Sequence, residues 1–141
     1  MVRRSIGTAL LTTTALLLTA TLAAAQTQTS KPFTGAKVNA GTVTATVKNG
    51  KTVLTLSSDF QVPDTPDPHW QVVDAKGQVF LLQRLGVKNL AGLAKDRVNM
   101  SITLPDYVRD VVKVQIYCAW AEAVLGETAL LTPKQLTLNN R

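Results

Sequence analysis

Apolar residues in the body of this chain either alternate with polar ones or form short runs, and both are broken by turn-forming residues. Beyond residue 36 no long segment carries the three-to-four spacing of a helix, so the pattern predicts strands. The clearest run is "GTVTATV", with Val43, Ala45 and Val47 on one face and Thr42, Thr44 and Thr46 on the other. "KNGK" follows it. Asn49-Gly50 is a strong two-residue hairpin signal, because both residues tolerate positive φ. "TVLTL" is then the returning strand.

The next stretch, "SSDFQVPDTPDPHW", breaks the alternation. Pro63, Pro66 and Pro68 exclude a central strand, since proline has no N–H to give to a ladder. This segment is therefore expected as a constrained loop that leads into a strand at "HWQVV". "DAKG" predicts a turn and "QVFLL" a further strand. "RLGVKNLAGLAKDR" fits either one short strand or a single helical turn around Leu90–Leu93. "VNMSITL" alternates again, with Val98, Met100, Ile102 and Leu104 inward, and Pro105 ends it. "DYVRD" is expected as a short turn. The run "VVKVQIYCAW" places Val112, Val114, Ile116, Cys118 and Trp120 on the inward row, and Lys113, Gln115, Tyr117 and Ala119 on the other. Gly126 and Glu127 are expected to interrupt, "TALLT" to follow, and a polar tail to begin at Pro133. The fold class implied is all-β: an antiparallel β-sandwich or open barrel of about eight or nine short strands.

The N-terminus has a different character. Arg3 and Arg4 precede an uncharged run from Ile6 to Leu22, which ends in Ala23-Ala24-Ala25 before Gln26. A basic start, an apolar stretch and a small-residue exit are the parts of a secretory signal peptide. The run is about 17 residues long and holds six threonines, at the lower limit for a bilayer span. The expectation is a signal peptide over 1–25, a flexible leader over 26–32, a β domain over 33–133 and a tail over 134–141. The location implied is the bacterial periplasm or the exterior, with no membrane span after cleavage. Loss of Arg3 and Arg4 takes the formal charge of +6 down by two. The other Lys and Arg are scattered among acidic residues with no basic stripe, which argues against nucleic-acid binding.

Composition excludes much chemistry. With one His (His69) and one Cys (Cys118), the chain cannot supply a zinc or blue-copper ligand set. It has no CxxC or CxxCH, no Gly-rich nucleotide motif and no GxSxG. No metal or other cofactor is expected. Asp59, Asp64 and Asp67 near the Pro-rich loop read as turn-forming aspartates. Trp70 reads as a core residue, with His69 on the opposite face. A buried thiol in apolar surroundings is inert, which would make Cys118 a small core hydrophobe. An odd thiol on an exported chain is nonetheless worth attention.

Several stretches together resemble the DM-thirteen domain family, the domain described as electron transfer DM thirteen. They are "FTG", "GTVTAT", "LTLSSDF", "PDTPDPHWQVV", "LP…Y" and "VVKVQIYCAWAEAVLGETAL", in that order from Phe33 to Leu130. Tyr117 departs from the pattern, which often has Trp there, and so does "KDRVNM", where a glycine-containing stretch is usual. The resemblance implies a β-rich extracytoplasmic domain with a redox role centred on its single cysteine, here Cys118, with Tyr117 and Trp120 as neighbours. Larger relatives carry a haem-binding neighbour domain, so a redox or envelope protein partner in trans is expected. Two rival readings stand beside this one. The first is a non-catalytic module presenting loops 61–69 and 84–97 to a partner. The second is an enzyme with an unrecognised site.

Overall fold

The computed structural model describes residues 25–86 and 100–130. The described residues form eight strands and no helix: β1 (Gln26–Thr29), β2 (Val43–Lys48), β3 (Lys51–Leu56), β4 (Pro68–Asp74), β5 (Val79–Arg84), β6 (Ser101–Thr103), β7 (Val111–Cys118) and β8 (Ala123–Ala129). They make two four-stranded sheets, ordered β1-β2-β3-β6 and β5-β4-β7-β8, and every pairing is antiparallel. One buried cluster draws on both sheets: Val43, Leu54, Leu56 and Ile102 from the first, and Trp70, Val72, Val114, Ile116, Cys118 and Leu125 from the second. This is a β-sandwich, in which inward rows of alternating side chains share one core.

The alternation explains most elements. Val43 is fully buried, Ala45 packs on the core, and Val47 is exposed where β2 runs out past it. The β2–β3 hairpin pairs Lys48 with Lys51 across Asn49 and Gly50, whose φ values of 51° and 73° are those of a two-residue primed turn. The β4–β5 hairpin closes on Gly77 at φ 83°, and Asp74 Oδ1 accepts the N–H groups of Lys76 and Gln78, both at 2.8 Å. Met100 packs on the core and Leu104 is buried with Ile102, as the alternation predicts; Val98 lies outside the described residues. The stretch 87–97 and the polar tail also lie outside them, as does the segment expected as a signal peptide up to residue 24.

Three expectations need correction. The polar segment 26–32 is not a leader detached from the domain: Gln26–Thr29 pair with β2 as the edge strand β1. Threonine and glutamine are adequate there because an edge strand needs ladder hydrogen bonds more than apolar burial. Gly126 and Glu127 do not interrupt the last strand but lie within β8. The register slips between Ile116 and Tyr117, so Leu125 is an extra residue, and its carbonyl accepts the N–H groups of Lys37 and Val38 at 2.9 and 3.1 Å. A Cβ on Gly126 would sit 2.6 Å from Val38 Cβ, so glycine is what lets the 35–38 segment cross the bulge. The third correction concerns Trp120. The strand ends at Cys118, and Trp120 leaves the inward row to sit in the β7–β8 turn, 76% exposed.

Candidate functional site around Cys118

Cys118 is the last residue of β7 and pairs with Pro68, the first residue of β4. Alternation turns its side chain inward, and it is fully buried. The position is nevertheless at an end of the sheet, where the chain between β3 and β4 arrives from the other layer. That chain is the Pro-rich segment. Pro63 and Pro68 are buried, Asp64 and Pro66 are exposed, and Thr65 between them is turned in. Its hydroxyl donates to Cys118 Sγ at 2.9 Å.

The turn that follows the cysteine supplies more donors. Ala121 N–H reaches Sγ at 3.4 Å, and Glu122 takes a left-handed φ of 52° to close the turn into β8. Burial pushes the thiol pKa up, but the hydroxyl of Thr65 and the N–H groups of Ala121, Asp67 and Trp120 favour the thiolate and bring it below its ordinary value. The sulfur is therefore not sealed by hydrocarbon alone. It sits under a polar cap at the rim of an apolar core.

The segment over the sulfur is held by a small set of contacts. Ala119 N–H donates to Asp67 O at 3.0 Å, and Leu85 N–H to Pro68 O at 2.8 Å. Arg84, at the end of β5, places Nε 3.0 Å from Asp67 Oδ1 and donates through an NH2 nitrogen to Pro66 O at 2.6 Å. His69 Nδ1 lies 3.1 Å from Asp67 O and 3.6 Å from its carboxylate. Among the described residues no three His, Cys, Asp or Glu side chains converge as metal ligands would.

The three residues singled out by sequence are adjacent in the chain but do not form one cluster of side chains. Tyr117 alternates onto the outer face of the sheet, in register with His69 and Val124, away from the sulfur. Trp120 contributes its backbone N–H to the sulfur environment while its indole stands in solvent. The side chain that hydrogen-bonds to the sulfur is Thr65, 53 residues away in sequence. Neither Thr65 nor Arg84 stood out among the residue patterns. The only signal was the cluster of three prolines, which marked the loop as rigid without marking what it covers. Trp70, by contrast, is completely buried, as expected.

The outer face of the second sheet carries a separate polar row. Gln71 Nε2 donates to Gln115 Oε1 at 2.7 Å, and Gln115 Nε2 to Glu127 Oε2 at 2.8 Å. Lys113 Nζ completes the row at 3.1 Å from Glu127 Oε1. Hydrogen bonds from Gln115 and then Lys113 hold the Glu127 carboxyl below its ordinary range, against a smaller opposing effect of burial. Every member has a partner, so the row reads as a cross-strand tie that fixes register.

No family model, curated protein or solved structure matches this chain.

Proposed function

We propose that the chain is an exported thiol-redox domain of the DM-thirteen type, with residues 1–25 as its signal peptide and Cys118 as the group that changes oxidation state. The observation that supports this is the set of donors on the sulfur, above all the Thr65 hydroxyl at 2.9 Å. A purely space-filling cysteine needs no donors, whereas a thiolate gains from each one. Tyr117 and Trp120 point their rings elsewhere, which favours thiol–disulfide exchange over an electron relay through an aromatic ring. In that exchange the Cys118 thiolate attacks a disulfide of a protein partner in the periplasm or outside the cell. One S–S bond breaks as another forms, and the displaced partner sulfur leaves as a thiolate. A different thiol of the partner then attacks the mixed disulfide at the partner's sulfur, which forms a new partner disulfide and returns Cys118 as the thiolate, so that Cys118 is oxidised only while the mixed disulfide lasts.

A second reading is favoured by the complete burial of the sulfur and by the exposed indole of Trp120. Here the domain is a non-catalytic interaction module, and the sulfur caps the β7–β8 turn by accepting its N–H groups. Exposure of the native protein to oxidised glutathione, read by intact mass, separates the two. A mixed disulfide that forms without unfolding, with a pH midpoint below the ordinary thiol range, and that is lost in Cys118→Ser, supports the redox domain. Modification only in denaturant leaves the interaction module.

A further inference from the structure

We propose that residues 63–68 form a hinged strap that gates Cys118, with Arg84 as its latch; its use as a gate rests on the redox reading, while its opening does not. The two ends are pinned by buried prolines. Between them Thr65 is buried, and its hydroxyl donates a hydrogen bond to Sγ. Lifting residues 64–67 removes the Thr65 donor from the sulfur and leaves both sheets paired, because β4 begins only at Pro68. The remaining ties across this span are few. Among them are the two contacts from Arg84 to Asp67 and Pro66, the Ala119–Asp67 and Leu85–Pro68 backbone bonds, the contact of His69 Nδ1 with Asp67, and a long 3.4 Å contact from Lys37 Nζ to Asp64 O.

The magnitudes favour local opening. The Arg84 and Asp67 side chains are 51% and 32% exposed, so water competes for their pairing. Such surface pairs contribute little, and segments held this way open far below the free energy of global unfolding. The strap is also built for reclosure. Three prolines narrow its conformations when open, so less entropy is lost on docking again. The Arg84 guanidinium grips the strap at two consecutive residues, which makes it the single side chain whose loss frees most of the segment.

The test is the rate at which a small neutral thiol reagent modifies Cys118 in the native full-length protein, measured across sub-denaturing urea. A gate predicts a rate that is flat at low urea and rises only when global unfolding takes over. Arg84→Gln should raise the low-urea rate by about tenfold, and Asp67→Asn by several-fold. The urea midpoints of both should stay close to the parent's. Lys51→Gln, which breaks the surface pair of Lys51 with Asp106 elsewhere, should leave the rate unchanged. The gate is overturned if the parent rate follows the full unfolding slope from zero urea. It is equally overturned if both strap variants label like Lys51→Gln, or if the parent labels as fast as an unfolded thiol. A gate that opens as described on a sulfur that never forms a mixed disulfide would instead remove the redox reading and keep the strap.

Discussion

The β2–β3 and β7–β8 hairpins share an antiparallel backbone but are closed by different forces. In β2–β3 the register runs unbroken from Val43–Leu56 to Lys48–Lys51, and the turn depends on two residues that accept positive φ. Nothing lies within 4 Å of where a Gly50 Cβ would be, so the turn is set by local backbone preference alone. In β7–β8 the register slips, a four-residue turn is tied by N–H groups to a sulfur, and residues from the 35–38 and 63–68 segments press on it from outside. The first hairpin is specified by its own sequence. The second is specified by the rest of the molecule, and it is the one that carries the candidate site. Local rules suffice for scaffold, whereas an inward-facing polar cap at a core rim needs parts from far along the chain.

Substitutions should separate the two hairpins by size and by kind of effect. The largest is expected for Gly126→Ala, because the new methyl meets the Cβ and carbonyl oxygen of Val38 at 2.6 Å. Backbone must shift, so a loss of about 3 kcal/mol is expected, at the upper end for overpacking, read from the urea midpoint. Gly50→Ala meets no atom and should cost about 1–2 kcal/mol from its left-handed φ alone. If the two variants cost the same, the distinction between local and tertiary closure fails.

Thr65→Val should cost about 1 kcal/mol by leaving the buried site short of a hydrogen bond. Its more telling effect is an upward move of the thiol pKa, followed by thiolate absorbance against pH. No movement would mean that the backbone N–H groups of Ala121, Asp67 and Trp120 set the acidity of Cys118 without the Thr65 hydroxyl.

A smaller effect is expected from Glu127. Its carboxyl is held below its ordinary value in the folded chain, so its contribution is full above 4.5 and is lost as pH falls through the folded value. The side chain is 40% exposed, so the loss should stay under about 1 kcal/mol. Glu127→Gln should flatten this part of the acid limb of stability. Smallest of all is Trp120→Ala, expected within about 0.5 kcal/mol because the indole is exposed. A larger cost would show that the turn depends on the ring.

Legibility from sequence followed the same division. Alternation made β2, β6 and the inward row of β7 from Val114 to Cys118 readable, short apolar runs between turn residues made β3, β4 and β5 readable, and Asn49-Gly50 made one turn readable, because period and turn chemistry are local. Val111 rather than Val112 packs on the core, since the register shifts at the start of β7. Strand β1 was not readable. "QTQT" has no apolar face, and only the presence of β2 beside it gives its N–H and C=O groups partners. Within β8, Gly126 looked like a break because the crossing segment that requires it is not visible from the strand itself. Trp120 was misplaced because alternation was carried two residues beyond the end of the strand.

The amino-acid sequence by itself determined the all-β class, the inward orientation of Cys118 and the stiffness of the segment before β4. Each follows from side-chain period or backbone restriction over a few residues. Only the tertiary structure decided that this stiff segment lies over the sulfur, that Thr65 supplies its side-chain donor and that Arg84 holds the cover in place. Those contacts join three separate stretches of chain, and no local preference can encode which of them meet; the packing of two sheets around one core does so.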